Sequence, residues 1–455
     1  MTTTESLADQ ESAAPPPSLW HNADFLKFWA GESLSLMGTQ VTNLALPLTA
    51  ILAFHASDEQ VGLLRFLQLV PYLGLALLFG VWVDRARRRS IMLGANITRM
   101  VLIGLVPVLH WTHTLTMGPL LVIACAVGIA SVLFDVSWMS YVPMLVKDPK
   151  HYVEASSKMG ISSSTADVAG PGLAGVLVSW LTAPVALLVD AFSYLVSVVS
   201  LLLIRTEEPK PAPATGDKRH LWTELREGVA FVFGDRILRP LAMVAPFCNF
   251  SLVTVWTMFL LYATRVVGLS AAQIGVVFAA ASVGGLVGAT ISRKVLDRFP
   301  LGPVYAVTMG AVFAGPLLLP WAGGPRAVQV ALFILSFFVS YLGLAIASVV
   351  MVSLRQTCTP QSMMGRMSAC FRTVLFGGGA LGGLFAGLLA GAIGPESALT
   401  WAAIGSAVVI VGLVVSPVSR LRQLPEPPAA PTPRRPECTS RNCGATRSSP
   451  CAGSG

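Results

Sequence analysis

Charged side chains are scarce in this chain of 455 residues, where they make up 12% of the total. An average soluble domain carries about 25% charge. A soluble protein of this length would need roughly three domains, each with a charged surface. The 31 basic and 23 acidic residues are too few for that, and hydrophobic residues make up 54% of the chain, in long runs separated by short polar stretches. The composition therefore predicts an all-α membrane protein whose solvent is lipid.

The sequence also lacks the features of several other protein classes. It holds no phosphate-binding loop with a Lys, no metal-ligand cluster and no nucleophile with a neighbouring base, so we expect no enzyme, no cofactor and no metal. Residues 1–23 lack the basic start and short apolar core of a secretory signal, which predicts a disordered cytosolic tail. Residues 418–455 predict a second disordered cytosolic tail, in which Cys438, Cys443 and Cys451 are reduced thiols or, as the alternative, zinc ligands.

Hydropathy predicts twelve transmembrane helices in two groups of six, because each span needs about 20 mostly apolar residues. The first six are 24–52, 59–83, 90–110, 117–145, 155–182 and 184–204, and the last six are 240–263, 271–292, 303–322, 327–354, 368–393 and 396–417. They define two six-helix bundles, 24–204 and 240–417. The central loop, 205–239, is polar and contains a predicted amphipathic helix from Leu221 to Phe233.

The basic residues predict the orientation of these spans. With the N-terminus inside, the outer loops carry only Arg265 and Arg326, and Arg65 and Arg99 lie within spans. Every other Lys and Arg then falls on the cytoplasmic side, so both termini are predicted to be cytoplasmic. This scatter over separate segments, rather than one continuous basic face, argues against nucleic acid as a partner.

The two halves resemble each other. When one is slid onto the other, Gly80 and Arg85 coincide with Gly288 and Arg293. A parallel six-plus-six repeat is the simplest account, and it is typical of transporters.

The loop between spans 2 and 3 places one acid among several arginines at the membrane edge, as in any basic cytoplasmic loop. Residues 80–89, GVWVDRARRR, also resemble the loop motif of the major facilitator superfamily, G-x-x-x-D-[RK]-x-G-[RK]-[RK]. The matching residues are Gly80, Asp84, Arg85, Arg88 and Arg89, whereas Arg87 replaces the second glycine. The resemblance implies the major facilitator fold and a latch that holds the two halves together in one access state, with Asp84 near Arg366 or Arg372.

A second motif lies in span 5, where Gly170, Pro171 and Gly175 resemble the G-P-x-x-G-G element of drug:proton antiporters in that superfamily. Close helix packing alone is the alternative explanation. Segments such as 190–194, 225–231 and 365–367 resemble the branch that contains macrolide-efflux and enterobactin-export proteins. The arginine that many proton antiporters carry in span 4 is replaced by Ala124, so the best-known route of proton coupling is unsupported.

Charged and polar side chains inside spans are candidates for the substrate or proton pathway. The candidates are Glu32, Gln40, Asn43, Arg65, Arg99, Asp135, Trp138 and Asp167. The resemblance implies that spans 1, 4, 7 and 10 line the central cavity, which would place Glu32 and Asp135 on the pathway, for a proton or for a cationic substrate. Arg99 is then expected to be a structural partner of Asp135. Buried ion pairs that fix helix register are the alternative.

These features together predict a secondary exporter of a hydrophobic or amphipathic small molecule, such as a drug, antibiotic, secondary metabolite or siderophore. Alternating access and proton antiport are what the resemblance implies. The expected partners are the substrate, a proton or other coupling ion, and the lipid bilayer of the bacterial cytoplasmic membrane, with the protein as a monomer. The alternatives are an uptake permease or facilitator of the same fold, and a membrane sensor or scaffold that transports nothing.

Overall fold

A computed structural model of the protein describes residues 19–146, 149–206, 208, 221–360 and 363–423. All regular structure in these ranges is helical. The fourteen α-helices there are α1 Ala23–Phe54, α2 Asp58–Leu69, α3 Pro71–Arg85, α4 Arg88–Trp111, α5 Met117–Val146, α6 Pro149–Leu181, α7 Ala183–Leu203, α8 Leu221–Gly234, α9 Leu238–Arg265, α10 Ala271–Arg298, α11 Leu301–Ala314, α12 Arg326–Thr357, α13 Met364–Ile393 and α14 Pro395–Val415. The predicted tails fall largely outside the described residues, as do the three cysteines of the second tail.

Ten helical segments in the described ranges are long and apolar enough to cross a membrane. They are α1, α4, α5, α7, α9, α10, α12, α13, α14 and the segment Leu301–Leu318, in which α11 continues into a 3₁₀ turn. Large apolar side chains are exposed on the outer surface, with Trp180 at 80%, Trp321 at 82% and Val408 at 66%. Such a surface fits lipid. The predicted spans 2 and 5 do not meet this criterion of length and composition.

Span 2 is divided by a proline. Pro71 has no backbone N–H, so the helix is interrupted between α2, with 12 residues, and α3, with 15. Val70 keeps helical dihedral angles of −58° and −30°, and its N–H donates to the Phe66 carbonyl. The chain therefore continues in the same winding across the break, as two segments that are each too short to count as a span.

Span 5 is long but polar at one end. Helix α6 has 33 residues and begins at Pro149 rather than at 155. The part of α6 before Ala169 carries charged residues, including Glu154, Lys158 and Asp167, so only Ala169–Leu181 is continuously apolar.

The helices pack in a pattern that involves both halves of the sequence. Helix α1 packs on α6 and α7, and α9 packs on α13 and α14. Across the halves, α2 contacts α13 and α6 contacts α10. We call the end of the molecule that carries α8 the α8 side and the end that carries residues 55–57 and 266–270 the far side.

The buried core differs between the two sides. On the far side one hydrophobic cluster includes residues of both halves, among them Leu48, Leu64 and Phe259. On the α8 side there are two separate clusters, one in the first half around Phe134 and one in the second half around Phe371. Among the described residues, a common core therefore joins the halves on the far side and not on the α8 side.

Candidate functional site

A cavity of about 220 Å³ lies between the two halves. Its lining comes from α1, α2 and α6 in the first half and from α9 to α12 in the second. Polar and amphipathic lining residues are Gln40, Asn43, Arg65, Trp256, Ser340 and Tyr341. Leu, Val, Pro and Phe side chains complete the wall, which gives a mostly apolar site with a few polar groups, as small-molecule sites have.

Arg65 on α2 is the charged residue of this lining. One terminal nitrogen donates to Gln68 Oε1 at 3.1 Å and to Asn43 Oδ1 at 3.5 Å. The guanidinium carbon lies 5.0 Å from the ring centroid of Trp256, a cation–π distance. Gly383 on α13 leaves room for the Arg65 stem, since a β-carbon there would lie 2.9 Å from Arg65 Cβ.

Hydrogen bonds continue from Arg65 across α1 to α6. The Asn43 amide donates to Gln40 Oε1 at 3.2 Å, and the Gln40 amide donates to Asp167 Oδ1 at 2.9 Å. Asp167 is exposed on the polar half of α6. The cavity arginine and this carboxylate are thus connected through two amide side chains.

The span-5 motif supports this arrangement. Gly170 packs against the Gln40 side chain, because a β-carbon at position 170 would lie only 2.3 Å from Gln40 Cγ. Pro171 lines the cavity, and Gly175 meets the backbone of Gly275 on α10. In this structure the motif therefore brings α6 close to both α1 and α10.

Asp135 lies outside the cavity and bridges the halves. It forms an ion pair with Arg372 on α13 and accepts a hydrogen bond from the Tyr72 hydroxyl at 2.7 Å. The ring of Tyr72 stacks on Phe376, with centroids 4.3 Å apart. The expected pairing of Asp135 with Arg99 is wrong, because Asp135 reaches across the interface to α13 instead.

Arg99 and Glu32 are both buried within the first half. Arg99 donates to Asn96 and lies against the rings of Phe134 and Tyr194, at 4.3 and 4.5 Å from their centroids. Within the described residues Arg99 forms no ion pair, and neither Arg99 Nε nor Glu32 Oε2 has a hydrogen-bond partner. Trp138, the other candidate on span 4, packs on the first-half cluster of the α8 side.

Among the described residues of α5 none is in the cavity lining, so the expectation for span 4 is not met there, whereas spans 1, 7 and 10 do contribute. Spans 2, 5, 8 and 9 also contribute, through Arg65, Pro171, Phe278 and Val312. Glu32, Arg99, Asp135, Trp138 and Asp167 lie outside the cavity lining, so their place on a pathway remains a prediction.

The loop motif is described only in part, since the side chains of Asp84 and Arg85, and the surroundings of Gly80, lie outside the description. The backbone N–H groups of Arg88 and Arg89 donate to the Glu208 carboxylate at 2.7 and 3.1 Å. The Arg89 side chain donates to the Leu201 and Leu202 carbonyls at 2.9 and 3.1 Å. Both contacts satisfy backbone groups that helix ends leave unpaired, at the start of α4 and the end of α7.

Sequence reasoning missed some of these residues. Tyr72 and Glu208 carry no signal in the sequence that predicts their contacts. Arg372 carries such a signal, because it is a charge inside predicted span 11, but the motif resemblance pairs it with Asp84 rather than with Asp135. In the described part of the chain, no three His, Cys, Asp or Glu residues group as metal ligands would.

Comparisons with known proteins agree with this architecture. The Multidrug efflux pump Tap of Mycolicibacterium fortuitum is 24% identical over 409 residues, which cover 85% of this chain and 93% of Tap. The Enterobactin exporter EntS of Salmonella typhimurium is 32% identical over 165 residues, 34% of this chain and 37% of EntS.

Solved structures share the fold. A bacterial homolog of the human lysosomal transporter Spinster, in an inward-facing and unoccupied conformation, has a TM-score of 0.63 at 18% identity, covering 90% of this chain and 98% of that one. The nucleoside transporter NupG has a TM-score of 0.66 at 12% identity, covering 87% and 99%. The sequence profile of the Major Facilitator Superfamily matches residues 28–383. The chain, a multi-pass membrane protein whose relatives include efflux pumps, belongs to the Major Facilitator Superfamily.

Proposed function

We propose that the protein is a secondary exporter that moves an amphipathic small molecule by alternating access. The observation that carries the proposal is the cavity between the halves, which lies where a common core ends and two separate cores begin. The likeness to the Multidrug efflux pump Tap over nearly its whole length supports export as the direction.

The proposal includes the topology. Twelve spans form two six-helix bundles, 24–204 and 240–417, with the loop 205–239 between them and both termini cytoplasmic. The α8 side is then the cytoplasmic side of a bacterial cell membrane, and the protein acts as a monomer. In this orientation the described state is closed to the outside.

Rocking of the bundles would break the far-side contacts. Gly62 on α2 meets the backbone of Gly387 on α13, and Gly175 meets Gly275. Arg265 at the end of α9 forms an ion pair with Asp58 at the start of α2. Because these contacts join the halves, their loss would open the cavity to the far side.

Asp167 is our candidate for the site that exchanges a proton. It is exposed near the middle of α6, and it is hydrogen-bonded to Gln40, which belongs to the cavity wall. Gaining a proton would change that hydrogen bond and, through Asn43, the surroundings of Arg65. Asp135 is less suited in this state because Arg372 already compensates its charge.

Transport in proteoliposomes tests the proposal. Vesicles containing the purified protein would be given a pH gradient, and uptake of 8-anilinonaphthalene-1-sulfonate, Nile red and ethidium would be followed separately. We expect at least one probe to move against its gradient in the direction set by the protons. Asp167→Asn should abolish the response to pH while leaving counterflow, and Asp297→Asn, which removes an exposed carboxylate at the end of α10, should change neither.

Two results would decide against parts of this proposal. Flux that ignores the pH gradient would exclude proton antiport, and counterflow that favours inward movement would support the uptake permease instead. Absence of flux, together with a cellular output that is lost on deleting the residues after Arg422, would favour the membrane sensor, since an exporter needs only the helical part and should keep its flux.

A further inference from the structure

We infer that the cavity binds an anionic amphipathic molecule, with its acidic group on Arg65 and a flat ring against the aromatic wall. This inference rests on the proposed function and specifies its substrate class. It differs from one of the two sequence-based expectations for Glu32 and Asp135, namely that they bind a cationic substrate rather than exchange a proton.

The first argument is the unbalanced charge of Arg65. Within the part of the chain that the structure describes, no carboxylate lies within 4.0 Å of its guanidinium, and its partners are the neutral amides of Gln68 and Asn43. Arg65 Nε is buried and has no hydrogen-bond partner among the described residues. A half-buried guanidinium with a buried, unpartnered Nε and no counter-ion is costly, and an anionic ligand would supply both the charge and the missing acceptor.

The second argument is the position of the acidic side chains. Asp167 is separated from Arg65 by Gln40 and Asn43, and Asp135 is paired with Arg372. Glu32 is buried in the first half and takes no part in the cavity lining. A cation in this cavity would therefore meet Arg65, and the described residues of the wall include no carboxylate to offset the repulsion.

The third argument is the aromatic part of the cavity wall, which begins at Trp256 beside Arg65. Four aromatic rings form a continuous series of contacts here, those of Trp256, Phe278, Phe337 and Tyr341. The centroids of successive rings are 5.9, 5.2 and 6.2 Å apart. Such a surface favours a flat aromatic or conjugated group. The cavity volume of about 220 Å³ is small, so a fused two-ring compound is a suitable probe.

Equilibrium dialysis with three matched probes tests the inference. The purified full-length protein, in phosphatidylcholine nanodiscs at pH 7.5, would be dialysed against 2-naphthoate, 2-naphthamide and 2-naphthylmethylammonium, and empty nanodiscs would correct for partition into lipid. We expect 2-naphthoate to bind at least about tenfold more tightly than the other two, because only its carboxylate brings a negative charge to Arg65.

Variants then assign the effect to Arg65. Arg65→Gln should abolish the preference for naphthoate, and Arg65→Lys should retain most of it. Lys294→Gln, which removes one exposed positive charge from α10, should leave it unchanged. Thermal unfolding would confirm that each variant is folded.

The outcomes separate this inference from the proposed function. Equal binding of the three probes, no binding of any, or a preference for naphthoate that survives Arg65→Gln would overturn the inference and leave export untouched. Binding of naphthoate through Arg65, combined with an absence of flux for every probe in proteoliposomes, would support the inference and argue against transport.

Discussion

At the scale of single residues, charged side chains with similar sequence surroundings make different contacts in the structure. Asp135 and Asp190 are both carboxylates inside apolar helices. Asp135 joins the halves through Arg372, whereas Asp190 is fully buried and accepts hydrogen bonds from Thr42 and Ser193. Hydropathy identifies both as charges in apolar segments. Which groups each carboxylate contacts depends on the neighbouring helices, which hydropathy does not predict. This is why the site could be predicted as a set of candidates and not as an arrangement.

Asp190 provides a prediction about stability. Asp190→Ala should lower the free energy of unfolding by about 2 kcal/mol, because the hydroxyls of Thr42 and Ser193 lose a buried acceptor between α1 and α7. Asp190→Asn keeps one oxygen and should cost less. Thermal unfolding in detergent, with Asp297→Ala as the exposed control, measures both. An unchanged midpoint for Asp190→Ala would show that this carboxylate does not hold α1 on α7.

At the scale of helices, apolar runs of sufficient length predicted positions well. Most predicted spans lie within the observed helices, and α8 covers Leu221–Gly234 against a predicted Leu221 to Phe233. Hydropathy does not predict the break at Pro71 or the polar start of α6. Mean hydropathy is an average over about 20 residues, so a single proline or a few charged residues within that window do not stand out. Both exceptions border the interface between the halves, where helices face other helices and the cavity rather than lipid.

The contact of α6 with α10 gives a prediction at this scale. Gly175→Ala should push the two helices apart, because a β-carbon would collide with the Gly275 backbone. The far side should then open more often. Distances between spin labels at Trp180 and Val276, measured by pulsed electron resonance, should lengthen. Gly405→Ala adds the same methyl group into open space and should leave the distances unchanged. An unaltered distribution for Gly175→Ala would mean that this contact does not control closure.

At the scale of the whole molecule, the sequence predicts a repeat of two halves, but it does not predict the contacts between them. Which residues meet across the interface depends on the conformational state, and a sequence encodes several states at once. The side of the interface that is closed could therefore be learned only from the distribution of buried clusters.

The ion pair of Asp58 and Arg265 provides a test of closure for the whole molecule. Asp58→Arg should favour opening of the far side through repulsion of Arg265, and the double variant Asp58→Arg with Arg265→Asp should restore closure because the charges are exchanged. Water accessibility of a spin label at Trp256, on the cavity wall, would follow both variants. Failure of the double variant to restore the original accessibility would mean that the two side chains act separately.

The Glu208 contact has a mechanical consequence for the connection between the halves. Glu208 is bound to the start of α4, and Glu227 on α8 is bound to Arg366 on α13 at 2.8 Å. Between Glu208 and the start of α8 the chain has only the twelve residues 209–220, which at full extension reach about 45 Å. The segment 209–220 thus sets a maximum distance between Glu208 and the start of α8. Removing residues from it would at some point limit how far the halves can separate on the α8 side. The number of residues that can be removed before function is lost would therefore measure the separation that the movement requires.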